Sequence, residues 1–281
     1  MSSGSTAQMP RLVATDLDGT VVRSDGTISA RVVAALNAVE DAGIDLVVVT
    51  GRPPRWMRAV VEATGHRGLA ICANGALVYD LQEEQVMFVD ALPPSSVPAI
   101  IERVRGVLPG AAFALETTGG FVHEVGYEPR WDIGTRRVEG DLLGSLPAGA
   151  QIVKLLVRDE ISRGDAMLAM VAPLLGGLAE ATHSNPADCL LEISALGISK
   201  ATTLARLCAS RGITARQVVA FGDQPNDLAM LRWAGRAYAM GNAHPDVLAA
   251  IPRRTGTVDE DGVAVVLERL LAKLSDAARH A

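Results

Sequence analysis

Two regimes of apolar and polar alternation divide this chain. In the first eighty residues, short apolar runs are separated by amphipathic stretches. Leu12–Thr15 reads as a β-strand. Ser29–Ala42 follows with apolar side chains at Val32, Val33, Leu36 and Val39, the spacing of one helical face. Ser29 is placed as its N-cap and Gly43 just past its end. Ile44–Val49 is almost wholly apolar, as expected of a strand covered on both faces. From Pro53 to about Ala63 the pattern is helical, with the prolines at the start, where a missing N–H costs little. Leu69–Cys72 is a third strand. Strand–helix–strand alternation of this kind predicts a parallel sheet with right-handed crossovers.

After about residue 82 the regime changes. Strands are expected at Val86–Val89, Phe113–Glu116, Phe121–Glu124, Ile152–Val157 and Leu178–Thr182, with helices near Ser95–Val107 and Ser162–Leu175. Proline and glycine pairs (Pro93-Pro94, Pro109-Gly110, Gly119-Gly120, Gly176-Gly177) punctuate this part heavily. From Lys200 the first regime resumes, with helix Lys200–Arg211, strand Val218–Phe221, helix Asn226–Trp233, strand Ala237–Met240, and helices near Pro245–Ala250 and Gly262–Lys273. The expectation is an α/β protein. A doubly wound parallel sheet would span 11–82 and 189–275, interrupted by a smaller α+β domain at 83–188. Residues 1–10 are expected as a disordered lead.

Composition narrows the function classes. Half of the 281 residues are apolar at 49%, so a large core is available. A net charge of −6 and only 4% aromatic residues argue against a nucleic-acid partner, which calls for a basic patch and stacking rings. No apolar run reaches bilayer length, and the lead lacks a basic region followed by an apolar one, so a cytoplasmic protein without a membrane partner is expected. The cysteines Cys72, Cys189 and Cys208 are too scattered for a disulfide framework. None of the histidines (His66, His123, His183, His244, His280) has metal-ligand spacing with another, and all are read as surface or structural.

Four segments carry candidate chemistry. In Thr15-Asp-Leu-Asp-Gly-Thr20, the strand ends in two carboxylates, Asp16 and Asp18, followed by a turn glycine. Crowding acids at a buried strand end is costly unless a cation compensates. In Val47-Val-Val-Thr-Gly-Arg52, the Thr50 hydroxyl and the N–H groups of Gly51 and Arg52 open a helix and form an anion cradle. Lys200 opens another helix, where its charge opposes the helix dipole unless it faces an anion. In Val218-Val-Ala-Phe-Gly-Asp-Gln-Pro-Asn-Asp227, a third strand ends in Asp223, and Asp227 follows at a helix start. Alone, each also reads as an ordinary turn, cap or solvated lysine. Together they converge, because ligands of doubly wound sheets bind beyond the carboxyl ends of the strands. Four carboxylates meeting there call for a hard divalent ion, and Mg²⁺ fits, taking oxygen ligands and substrate phosphate oxygens.

In this order the four segments resemble the motifs of the haloacid dehalogenase superfamily of phosphotransferases. The insertion resembles the type-two cap of its Cof-like phosphatases. Asn74-Gly75-Ala76 and Met240-Gly-Asn-Ala243 are similar to recurring strings of that group. Gln224-Pro225 departs from the Gly or Asn and Glu that often stand there. The resemblance implies Asp16 as the nucleophile that forms an aspartyl-phosphate, and Asp18 as the acid and base serving the leaving alcohol and the water. It implies Thr50 and Lys200 as further catalytic groups. Gly51, Arg52, Asn74 and Asn226 would contact substrate, and Asp16, Asp18 (through its backbone carbonyl), Asp223 and Asp227 would serve Mg²⁺. The implied partner is a small phosphorylated metabolite such as a sugar phosphate. A phosphomutase, a dedicated sugar-phosphate phosphatase and a non-catalytic phosphate-binding protein are the alternatives. Within the insertion, Thr117–Gly120, His123–Glu124 and Lys154 are candidates for reading the leaving group, with hinges near Asp80–Glu84 and Asp188–Leu191.

Overall fold

The computed structural model describes residues 9–129, 135–138 and 140–279. Most of the expected lead, and His280, lie outside them. The chain begins with β1 (Leu12–Thr15), α1 (Ala30–Asp41), β2 (Asp45–Val49), α2 (Met57–Thr64), β3 (Leu69–Cys72), β4 (Leu77–Asp80) and β5 (Gln85–Val89). Next come α3 (Val97–Val107), β6 (Ala112–Thr117), β7 (Gly120–Glu124), β8 (Thr135–Val138), β9 (Ile152–Arg158), α4 (Gly164–Val171), β10 (Ala179–Thr182) and β11 (Leu190–Ala195). The last stretch comprises α5 (Lys200–Ser210), β12 (Val218–Gly222), α6 (Leu228–Trp233), β13 (Arg236–Ala239), α7 (Pro245–Ala250) and α8 (Gly262–Arg279).

The larger sheet has the order β13-β12-β1-β2-β3-β4-β5. Its strands β13 to β3 are parallel, and β4 and β5 add an antiparallel edge. Every side chain of β1 and β12 is buried, as their unbroken apolar runs require. From β1 the chain steps to β2 on one side, and β12 lies on the other, so the strand order reverses at β1. Right-handed crossovers then put α1 and α2 on one face and α6 on the other. Helix α8 packs on α1, and α5 on α6. Local signals hold the elements in place. Ser29 caps α1 by accepting from the Val32 N–H at 3.1 Å, and Gly43 leaves the helix at φ +75°.

The smaller sheet runs β10-β11-β9-β6-β7-β8. One face carries Phe113, Leu115, Leu155, Val157, Leu191 and Ile193 against α3 and α4. The other carries Ala114, Phe121, Tyr127 and Leu156. The α/β core with an inserted α+β domain is as expected.

Two strands change sides relative to expectation. The strand Val86–Val89, expected in the insertion, is β5 and pairs with β4 in the larger sheet. What reads as a boundary at Asp80–Glu84 is the turn of that hairpin, with Asp80 Oδ1 accepting from the N–H groups of Gln82 and Glu83. Conversely, Leu190–Ala195 falls in the expected core span, yet β11 pairs with β9 and β10 in the smaller sheet. The chain therefore crosses between sheets after β5 and after β11, later than the expected hinges on both passes. Strands β4, β8 and β11 are absent from the sequence reading; β4 and β8 span only four residues each, while the six of β11 lie where the expected core boundary falls.

Candidate active site

Three strands of the larger sheet deliver their polar residues to one point. Asp16 follows β1, and its N–H donates to Phe221 O on β12. Asp223 follows β12, and Thr50 follows β2. All three are buried. Between Asp16 and α1 the backbone doubles back, with the N–H groups of Val21 and Val22 both donating to Leu17 O. At the tip of this turn, Gly19 adopts φ +81°, and a Cβ there would lie 2.3 Å from Asp223 Oδ2. Only glycine tolerates both the left-handed backbone and that approach. Thr20 Oγ1 donates to the other Asp223 oxygen at 2.9 Å.

Lys200 opens α5 behind a Ser199–Thr202 capping box and turns its side chain inward, 1% exposed. Its Nζ donates to Asp16 Oδ1 and to Asp227 Oδ1, each at 2.6 Å. The ammonium set against the helix dipole thus faces two anions. Asp227 Oδ2 accepts from the N–H groups of Asp223 and Gln224 at 3.0 Å. Gly222 lies so close that a Cβ would meet Asp227 Cβ at 2.6 Å. Gln224 caps this turn and donates from Nε2 to Asp223 Oδ2 at 2.8 Å, while Pro225 opens the helical turn that follows. The departure from the usual pattern leaves the loop intact.

Three carboxylates and one ammonium are buried together, an excess of negative charge. Burial, and then Asp227 and Asp223, push the Asp16 carboxyl well above the usual range, against the opposing pull of Lys200. Burial and the Asp227 charge push Asp223 up to about 7. Burial disfavours the Lys200 charge, but Asp16 and Asp227 outweigh it and raise its pKa. A divalent cation would relieve this crowding, and oxygens of Asp16, Asp223 and Asp227 lie within 4.8 Å of one another. The donor set is all oxygen, which suits a hard ion. Asp227 also anchors Lys200 through Oδ1 and the Asp223 loop through Oδ2. Asp18 departs from the expected convergence. Its side chain is 56% exposed and forks onto Arg52, whose Nε donates at 2.8 Å. At the metal it can take part only through its backbone.

The cradle beyond β2 is braced from the inserted domain. Arg52 N–H donates to Thr50 Oγ1 at 3.0 Å. Asn74 sits at φ +59°, its N–H on Thr50 O, with Nδ2 donating to Glu192 Oε2 at 3.0 Å and Oδ1 accepting from Asn226 Nδ2 at 3.2 Å. Gly75, at φ +105°, lets this turn touch the start of α5, for a Cβ would lie 2.3 Å from Ser199 O. Asn74 therefore links Asn226 of the core to Glu192 of the insertion. Gly51 lies beside them, within 3.1 Å of Asn74 Oδ1 from its Cβ position.

Of the insertion's candidates, Lys154 reaches the core, donating to Gly51 O at 2.7 Å and to Glu192. Glu124 does not. It accepts from Arg105 and the Phe113 N–H within its own domain. His123 is buried with its Nδ1 on Glu124 O, and the Thr117 hydroxyl is spent on Gly120 O. Two residues at the junction were missed. Glu116 pairs with Arg55 of the core, and Glu192 accepts from both Lys154 and Asn74. A signal was present: Leu191, Ile193 and Ala195 alternate with Glu192 and Ser194, a strand with one polar face.

Residues 13–267 match the family model of haloacid dehalogenase-like hydrolases. The chain is 27% identical over 266 residues to the 5-amino-6-(5-phospho-D-ribitylamino)uracil phosphatase YitU of Bacillus subtilis, covering 92% of this chain and 97% of that one. It is 28% identical over 265 residues to the pyridoxal phosphate phosphatase YbhA of Escherichia coli, covering 90% and 96%. Among solved structures, a haloacid dehalogenase-like hydrolase from Bacteroides thetaiotaomicron superposes with a TM-score of 0.74 at 28% identity, over 93% and 99% of the two chains. The buried Asp–Lys–Asp centre, the inserted domain and these matches agree: the chain belongs to the haloacid dehalogenase-like hydrolase family, among its Cof-like phosphatases.

Proposed function

We propose that this protein is a Mg²⁺-dependent phosphatase that hydrolyses a small phosphorylated metabolite through an aspartyl-phosphate on Asp16. The observation that carries the reading is Lys200, buried and bonded at once to Asp16 and Asp227 beside Asp223. Lys200 holds the Asp16 carboxylate at a fixed angle and supplies positive charge where an incoming phosphate dianion would meet it. Mg²⁺ held by Asp16, Asp223 and the Asp18 backbone carbonyl would offset the remaining negative charge.

In the first half-reaction an Asp16 oxygen bonds to phosphorus as the bond to the leaving oxygen breaks, and Asp18 gives that oxygen its proton. In the second, Asp18 takes a proton from water, the water oxygen bonds to phosphorus, and the Asp16–phosphate bond breaks. The Asp18 carboxylate is 56% exposed, and the carboxylate left by the first step is the base of the second. Arg52, forked onto it, holds it in place. The Thr50 hydroxyl and the Gly51 N–H line the phosphate position at the end of β2. The relatives above are named as phosphatases of 5-amino-6-(5-phospho-D-ribitylamino)uracil and of pyridoxal phosphate, which supports a small phosphorylated metabolite as the substrate class here.

The test is hydrolysis of p-nitrophenyl phosphate and a panel of phosphorylated sugars and vitamins, with Mg²⁺ or with chelator. Turnover that requires Mg²⁺ and vanishes in Asp16→Asn supports the reading. Full activity in chelator, or near-normal turnover in Asp16→Asn, overturns it.

A further inference from the structure

A ring of hydrogen bonds encloses the Thr50–Gly51 turn, and half of it comes from the inserted domain. Lys154, on β9, is 3% exposed at its side chain, and its partner Glu192, on β11, is 6% exposed. Lys154 Nζ donates to Gly51 O. Glu192 accepts from Lys154 and from Asn74 Nδ2, and the Asn74 N–H returns to Thr50 O at 3.0 Å. Burying this ion pair against a core turn carries a desolvation cost that surface exposure would avoid.

The bond to Gly51 O has a specific chemical effect. That carbonyl belongs to the same peptide group as the Arg52 N–H, which donates to Thr50 Oγ1. A cation on the oxygen of an amide polarises it and strengthens its N–H as a donor. The strengthened N–H occupies a lone pair of Thr50 Oγ1, which leaves the hydroxyl proton to point at a ligand oxygen. We propose that Lys154 is a positioning residue for phosphoryl transfer. From the inserted domain, it sets the Thr50 hydroxyl as a donor through the single peptide between Gly51 and Arg52. Docking of the insertion is thereby relayed to the cradle through one covalent group. The inference rests on the phosphatase reading only for its kinetic readout.

The experiment is a double-mutant cycle in the full-length protein. Lys154→Met is combined with Glu192→Gln, so that no buried carboxylate is left unpaired, and the pair is introduced into wild-type and Thr50→Val backgrounds. The readouts are kcat/KM for p-nitrophenyl phosphate, a leaving group too simple for the insertion to recognise, and the Kd of inorganic phosphate with Mg²⁺ by calorimetry. Thermal midpoints verify that each variant is folded. The expected result is a loss of about tenfold in the wild-type background and less than about twofold in Thr50→Val, since coupled residues are non-additive. Equal losses in both backgrounds would overturn the proposal, as would an unchanged kcat/KM in the wild-type background. If no ester is turned over, the phosphatase reading fails, and the phosphate Kd cycle still decides this one by the same criterion.

Discussion

Gly19 and Asp223 are in mutual contact: a β-carbon on the first would stand 2.3 Å from Oδ2 of the second. Gly19→Ala must therefore shift the Asp223 carboxylate as well as strain a left-handed backbone. On the proposed Mg²⁺-dependent reading, the expected outcome is a melting temperature that Mg²⁺ no longer raises, and loss of activity. Gly26→Ala is the matched control, since Gly26 has φ +83° with open space around it. It should cost only about 1 kcal/mol and leave the Mg²⁺ response intact. Thermal melts of both variants with and without Mg²⁺ check this.

Asp16→Asn removes one of three buried carboxylates that share a single lysine. Metal-free, the variant should be more stable than the parent, with a midpoint higher by several degrees, about 2–4 °C per kcal/mol gained for a domain of this size. Lys200→Met should do the reverse, losing about 3–5 kcal/mol by stranding buried charge. Denaturation in chelator measures both. A less stable Asp16→Asn would show that the carboxylate crowding is not a liability.

The raised Asp223 carboxyl predicts a pH dependence with a definite sign. Its folded value is about 7 against an ordinary value of 3.8, so between these the folded state holds more protons than the unfolded state. Metal-free stability should fall as pH rises through that window. A divalent cation must displace the same proton, so Mg²⁺ affinity should rise over this range and level off above about pH 8. Calorimetric titrations at pH 5.5, 7 and 8.5 test it. An affinity flat across the three would exclude the linkage.

Glu116 and Glu124 lie on adjacent strands with different neighbours. Glu116 crosses to Arg55 of the core, whereas among the described residues Glu124 ties Arg105 and the Phe113 N–H of its own domain. Glu116→Gln should therefore change the ranking of kcat/KM among phosphate esters. Glu124→Ala should leave the ranking alone and lower stability by about 1 kcal/mol, the worth of an ordinary hydrogen bond. A changed ranking in Glu124→Ala would reverse this assignment.

The core of the site was readable because each piece sits at the end of an apolar strand. Asp16, Thr50 and Asp223 follow runs that can only be buried, and parallel topology brings such ends together. The Asp18 carboxylate alone does not join this convergence. Its spacing from Asp16 is visible, and in an extended chain residues two apart would share a side. The strand stops at Thr15, however, and the backbone folds back on Leu17, so Asp18 turns to Arg52 instead. Pairings between the two domains, such as Glu192 with Asn74, join residues 118 apart. No local period encodes them. The placement of β5 failed likewise, since a hairpin turn and a domain boundary share the same polar, turn-forming residues.

The pairing of Leu12 with Val218 has a consequence for how the protein is made. The smaller sheet is contiguous from β6 to β11 and can form as soon as it leaves the ribosome. The larger sheet cannot, because β1 must wait for β12 on its far side, after the whole insertion has been synthesised. The nascent chain thus carries a finished lid before it has a vessel. Asp16 can meet Asp223 only after the whole insertion and β12 have been made.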